Sequence, residues 1–297
     1  MNALRFSRFQ TRPILRCIHF VSLDIDWLAL ILPAPVAFPP AMASLLSTAR
    51  SWVDQIHLNA SFRDERQGRA VFVKRRRLGS GMVMRFANAF FRLARNPIEA
   101  LTDRSEWRQW EVNCFTRLHG PEFSAGTDPS GTAWIEVMPG ESLGSALTKG
   151  ALQPSMLTAA GKELRRAHAQ ACPHYREAWS HGDPHSGNFL YDFETGRARL
   201  IDFEVRHLRH LSSHDRHADD LLVLLQDVCG RCPADDWPNL AAALLDGYGR
   251  SEIAARIRER LCIPTGIPRL WWAVRTTWMR RPELERRMSQ LAELLPT

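Results

Sequence analysis

The chain has 297 residues, 45% hydrophobic and 24% charged, which suits a soluble globular protein of one or two domains and excludes a wholly disordered or low-complexity chain. Its formal charge is +7, and three of its 39 basic residues are lysines, Lys74, Lys149 and Lys162, so the excess is nearly all arginine. Such an excess suits a nucleic acid, an anionic membrane face or a phosphorylated substrate, and it serves solubility equally well.

Residues 27–49 carry no charge and are long enough to span a bilayer. Pro33, Pro35, Pro39 and Pro40 would break most helices there, and Asp24 and Asp26 precede the run. The preferred reading of 1–45 is a disordered leader, or an upstream start with Met42 as the working one. Membrane association, or export guided by Arg5, Arg8, Arg12, Arg16 and the small residues at 41–43, are the alternatives. Cys17, Cys114, Cys172, Cys229, Cys232 and Cys262 form no secreted disulfide framework. The pair Cys229 and Cys232 lacks the further ligands that a structural zinc needs, and a reducing cytosol fits best.

From residue 50 the chain reads as one compact unit without repeats. Residues 52–58 and 69–75 are expected as short strands joined by the polar turn "NASFRDERQG". In "RAVFVKRRR", Val71 and Val73 share one face and Phe72 and Lys74 the other. Arg75, Arg76 and Arg77 read as a solvated cluster. A helix over 104–118 places Trp107, Cys114, Phe115 and Leu118 on one apolar stripe with Glu111 among them. A carboxylate there is costly unless paired, and Lys74 is the upstream cation that could pair it.

"TAWIEVMPGESL" is a strand stopped at Pro139-Gly140. A helix over 157–170 aligns Leu157, Ala160, Gly161, Leu164 and His168. Next comes "SHGDPHSGNFLYDFETGRARLIDFE" over 180–204, in which two short strands flank the turn "FETG". Asp183 and Asn188 fall on the loop before the first strand and Asp202 at the end of the second, positions that a hairpin brings together. Residues 218–229 are apolar nearly all round, so that helix is central.

The motifs "HGDPHSGN" and "IDFE" resemble the catalytic and metal-binding motifs of the protein-kinase-like fold. The nearest branch is that of the bacterial lipopolysaccharide core and Kdo kinases, with aminoglycoside phosphotransferases as relatives. The resemblance covers about residues 50–230. It implies a two-lobed α+β fold with a small β-rich N-lobe over 46–138 and a mainly helical C-lobe over 139–297. It implies ATP and Mg²⁺ as cofactors, Asp183 as the base for the acceptor hydroxyl, and Asn188 and Asp202 as metal ligands. It further implies Lys74, oriented by Glu111, on the phosphates, and the backbone of Glu136 and Met138 at the adenine edge. His185 stands where it can donate to the γ-phosphate, and His181 braces the loop. Asp220, preferred over Asp219, steadies that loop.

Two features depart from the pattern. No Gly-rich phosphate loop appears between 52 and 71, and DFE stands in place of DFG. About 15 residues separate Glu204 from Asp219, too few for a long peptide-docking segment. Glu204 reads as a solvated acid or as a further metal contact, with the first preferred. His207, His210, His214 and His217 read as an exposed basic loop facing an anionic substrate rather than a metal cluster. "RLWWAVRTTWMRRPELERRM" over 269–288 is a closing helix with Trp inward, or a face for anionic headgroups.

The function expected is phosphoryl transfer from ATP to a hydroxyl of a cell-envelope sugar or glycolipid, on the cytoplasmic side and peripheral on the membrane, with no nucleic acid partner. Another small-molecule kinase, a serine/threonine protein kinase, and an inactive kinase-fold binding module are the alternatives.

Overall fold

The computed structural model describes residues 59–296. The leader 1–45, the start at Met42 and the expected strand 52–58 lie outside the described residues. The described chain opens with two strands, β1 (Asn59–Arg66) and β2 (Arg69–Arg76), paired antiparallel with Asn59 opposite Arg76 and Arg66 opposite Arg69. The turn is two residues, Gln67 at φ 54° and Gly68 at φ 75°. Two left-handed positions match the twist of the flanking strands. Most of "NASFRDERQG" is therefore strand and not turn. Among the described strands β1 lies at the edge of its sheet, and it is largely exposed, so polar residues cost little there and no apolar alternation marks it.

Helix α1 (Ser80–Leu93) and β3 (Ile98–Ala100) follow. α1 falls where no element is expected from the sequence, although its apolar residues recur at helical spacing. Helix α2 (Arg104–His119) is capped by Asp103, whose side chain accepts from the Glu106 N–H at 2.8 Å. Among the described residues, strands β4 (Ala125–Thr127) and β5 (Ala133–Glu136) join β1 and β2 in a four-stranded sheet of order β1-β2-β5-β4.

After β5 the chain turns at Pro139-Gly140 into β6 (Glu141–Ser142). Gly140 has φ 119°, and a Cβ there would lie 2.6 Å from the Tyr191 carbonyl, so only glycine fits this approach. Helices α3 (Leu143–Thr148) and α4 (Pro154–His168), and the pair β7 (Ala171–Cys172) and β8 (Glu177–Ala178), lead to the hairpin β9 (Phe189–Asp192) and β10 (Arg197–Leu200). β11 (Val205–His207) pairs with β3. The rest is helical: α5 (Ser213–Arg231), α6 (Trp237–Tyr248), α7 (Ser251–Arg258), α8 (Ile267–Arg275) and α9 (Arg281–Leu294).

This is an α+β protein with a small strand-rich part followed by a mainly helical part, the arrangement that the resemblance implied. The large core lies in the helical part, where α5 is buried from Arg216 to Gln226. α4 and α6 cross at facing glycines. A Cβ on Gly161 would strike the Leu244 carbonyl, and one on Gly247 the Thr158 carbonyl. The two thiols of Cys229 and Cys232 are buried, and Arg287 donates from Nη1 to the Cys229 carbonyl at 2.6 Å and the Cys232 carbonyl at 3.0 Å. Burial pushes the Cys229 thiol up to about 12, so the pair packs as small hydrophobes.

In the C-terminal segment, Trp271 is buried against Phe91 of α1. Arg281 pairs with Glu285, and both Arg286 and Arg287 with Glu283. Among the described residues, no helix is long and apolar enough to cross a membrane.

Candidate active site

β2 carries Lys74 into the interior on the face opposite Val71 and Val73, as strand alternation requires. Its ammonium lies 2.6 Å from Glu111 Oε1 and 2.5 Å from Asp202 Oδ1. Glu111, fully enclosed on α2, accepts from the Phe203 N–H at 2.9 Å through its other oxygen. One carboxylate thus holds both the lysine and the backbone just past Asp202. Burial alone would lower the Lys74 pKa, but the charges of Asp202, Glu111 and Glu204 outweigh it and hold the amine well above the ordinary lysine range. Glu111 is raised above the usual carboxylate range by burial, against the opposing pull of Lys74.

Asp202 sits two residues past β10 at φ 69°, in the left-handed region. A non-glycine residue there is strained, and such strain is concentrated at functional sites. Glu204 follows. It is partly buried and accepts from the side-chain amide of Asn59. Burial first, then the Asp202 charge, raises its pKa to about 8. The preferred reading of Glu204 as a solvated acid is corrected, because β11 carries the chain straight back into the protein after it. Arg76 is corrected too. It shares the Lys74 face, is buried, donates to the Leu101 carbonyl and lies 4.7 Å over the Trp107 ring.

The loop before β9 is fastened from below by α5. Asp220 accepts from the N–H groups of His181 at 2.7 Å and Gly182 at 2.8 Å. Asp219 pairs instead with Arg275 at 3.2 Å. The His181 ring accepts from the Asp183 N–H at 3.3 Å and bonds the Ile201 carbonyl through Nε2 at 3.0 Å, so it ties the loop to the strand end before Asp202. His185 accepts from the Gly187 N–H at Nδ1, 3.0 Å, which leaves Nε2 to carry the proton of the neutral ring. The Asn188 amide donates to the Asp183 carbonyl at 2.9 Å. The Ile201 N–H donates to the Asn188 carbonyl at 2.9 Å, extending the β9–β10 pairing so that Asn188 lies beside the residue before Asp202.

The end of β5 is also ordered. The Glu136 N–H donates to the Ser124 carbonyl at 2.8 Å, and the Glu136 carboxylate takes Arg69 and the Ser124 N–H, each at 2.9 Å. Glu136 can therefore face a nucleotide base only through its carbonyl. The Val137 N–H donates to the Ala70 carbonyl at 2.9 Å, and the Met138 side chain is buried in the core.

The four histidines after Glu204 do not form one exposed loop. His207 is buried between Ser180, at 2.9 Å, and Asp219, while His210 and His214 are exposed. His217 is buried, stacked on His168 with centroids 3.9 Å apart, and bonded to the Trp179 carbonyl at 2.9 Å. Burial, followed by the neighbouring His168, lowers the His217 pKa to about 2, and burial lowers that of His168 as well. Below pH ~6.5 the unfolded chain takes up protons at these rings and the folded chain does not. Stability is therefore lost as pH falls from ~6.5 toward the folded values. A His217→Gln variant should show a shallower drop in melting temperature between pH 7 and 5 than the parent. Equal slopes would contradict this origin of the acid sensitivity.

Among the described residues, no group of three or more His, Cys, Asp or Glu could hold a metal ion. Asp202 with the amide oxygen of Asn188 is a different donor set, one carboxylate and one amide at the same end of a hairpin. Hard oxygens of this kind suit Mg²⁺, which fills its remaining positions with water and phosphate.

No protein-family model and no curated protein sequence matches the chain. Solved structures do match in shape. The gentamicin complex of aminoglycoside phosphotransferase APH(2'')-IIa covers 89% of this chain and 100% of its own at 13% identity and a TM-score of 0.42. ADP-bound APH(2'')-Ib covers 84% and 97% at 12% identity and a TM-score of 0.40. A choline/ethanolamine kinase family protein from Mesorhizobium loti covers 85% and 99% at 13% identity and a TM-score of 0.37.

Proposed function

We propose that the chain transfers the γ-phosphate of ATP to a hydroxyl of a cell-envelope sugar, with a sugar of the lipopolysaccharide core as acceptor. The observation that supports this best is the joining of Lys74 to both Glu111 and Asp202, beside a loop whose backbone is held by Asp220. Phosphoryl transfer needs positioning and charge neutralisation more than covalent help, and this arrangement offers both.

In this reading Lys74 moves from Asp202 onto the nucleotide phosphates while Glu111 keeps it in place. Asp183 orients the acceptor hydroxyl and takes its proton. His185 offers its Nε2–H to the transferred group. Asn188 and Asp202 would hold Mg²⁺, which neutralises phosphate charge when bound. The carbonyl of Glu136 and the backbone of Met138 line the adenine edge. The Gln67-Gly68 turn does not cover the phosphates, because Lys74 lies six steps of strand beyond Gly68, about 20 Å at ~3.3 Å per residue.

The segment after Glu204 supports this acceptor class. β11 starts at Val205 and pairs with β3, and α5 starts at Ser213. That leaves no long segment on which an extended peptide could lie, which favours a sugar over a protein. The basic surface favours an acceptor that already carries phosphate. The site would work on the cytoplasmic side, where ATP is abundant.

The test is transfer from γ-labelled ATP to a panel of envelope glycolipids, free sugars and proteins. Label on a core glycolipid is the expected result. Label only on protein would favour a protein kinase, and no label with no ATP turnover would leave a binding module.

A further inference from the structure

Helix α1 is docked by one face and bare on the other. Met84 and Phe91 point inward to a small cluster with Ala94, Ile98, Ala100 and Trp271. Asn88 fixes the helix by accepting from the Ala100 N–H at 2.7 Å and donating to its carbonyl at 2.8 Å. The opposite stripe, Met82, Phe86, Ala89 and Leu93, repeats at helical spacing and lies in the open. Phe86 is 71% exposed, Met82 67% and Leu93 62%, and Leu78, just before the helix, 91%. Large apolar side chains grouped this way mark an interaction surface.

The charge around this stripe is one-signed. From Lys74 to Ile98 the sequence contains no Asp or Glu. Arg85 and Arg92 flank the stripe on the helix, and Arg75, Arg77 and Arg95 lie at its two ends, all exposed. None of these five makes an ion pair with a described residue, in contrast to Arg281, which pairs with Glu285, and to Arg286 and Arg287, which share Glu283. Cationic side chains beside exposed Met, Phe and Leu on one 14-residue helix form the pattern of an interfacial membrane helix.

We propose that the outer face of α1 docks the protein on an anionic phospholipid bilayer, with Met82, Phe86 and Leu93 entering the headgroup boundary and the five arginines meeting lipid phosphates. Helix α1 also connects to the candidate site through its docked side. Asn88 grips Ala100, Ala100 stands opposite Val205, and Val205 follows Glu204. Docking by α1 would bring that edge of the site to the membrane, where a lipid-linked hydroxyl is found. This inference goes beyond the phosphoryl-transfer reading and does not depend on it, since docking is read without nucleotide.

The test is co-sedimentation of the full chain with vesicles of phosphatidylcholine alone or with phosphatidylglycerol added. Binding should require the anionic lipid and weaken as salt rises from about 50 to 500 mM. Met82→Ser with Phe86→Ser, and separately Arg85→Gln with Arg92→Gln, should each lower partitioning about tenfold or more, with melting temperature and any ATP turnover unchanged. A photo-crosslinking phenylalanine at position 86 should label lipid. Crosslinking to residues 1–58 of the same chain, or to a second copy, would overturn the proposal by naming another occupant of the face. So would binding that neither pair of substitutions affects, or no binding of the parent to any vesicle.

Discussion

Asp202→Ala and Asp183→Ala should each lower phosphoryl transfer by about 10³-fold or more while the protein stays folded. Each removes a charge that the proposed reaction uses and that the fold does not need. Asp202 contacts Lys74 at 2.5 Å, and Glu111, at 2.6 Å, is left to hold the lysine when Asp202 is gone. The left-handed backbone at position 202, φ 69°, is tolerated by asparagine, so Asp202→Asn separates charge from shape. It should keep the parent melting temperature and lose transfer nearly as fully as the alanine. The check is labelled-phosphate transfer together with far-UV circular dichroism. Near-parental turnover in either alanine variant would remove these residues from the chemistry.

The second large effect lies in the Lys74–Glu111 pair. Glu111 is fully buried, and its second oxygen holds the Phe203 N–H at 2.9 Å. Lys74→Ala would strand that carboxylate and cost about 3 kcal/mol of stability, because an uncompensated buried charge is worse than no pair at all. A double replacement, Lys74→Met with Glu111→Leu, should recover part of that loss. Transfer should behave differently. The single variants Lys74→Met and Glu111→Leu should each lose about 10²-fold or more, and the double variant little more than the worse single one, since Glu111 acts through Lys74. Chemical denaturation and turnover on the four proteins complete the cycle. Strictly additive losses in turnover would mean that the two residues act independently.

Much of this geometry can be read in the sequence because its signals are local. Glu111 falls on an apolar helical stripe, where an unpaired carboxylate is costly, and Lys74 ends an apolar strand, so each implies a partner for the other. The hairpin at 189–200 is marked by a turn motif between two short apolar runs, which is why the neighbourhood of Asn188 and Asp202 follows from spacing. What stayed hidden depends on tertiary context. β1 is polar because most of its side chains are exposed. Arg76 reads as part of a solvated run, yet the same alternation that turns Lys74 inward turns Arg76 inward too. His207 and His217 share a short stretch with two exposed histidines, and only β11 and the buried α5 separate them. The strain at Asp202 and the enclosure of Glu204 leave no local sign at all. Nor does the crossing of α4 over α6, which shows in the sequence only as single glycines inside helices.

If Lys74, Glu111 and Asp202 form a nucleotide and metal site, calorimetric titration of the full chain with ATP, in the presence and absence of Mg²⁺, should show it. The parent should bind ATP, and Mg²⁺ should strengthen binding about tenfold or more, a change of about 1.4 kcal/mol. Asp202→Asn should keep the metal-free binding and lose the gain from Mg²⁺. A folded parent that binds no ATP at millimolar concentration with Mg²⁺ present would remove these three residues from nucleotide binding.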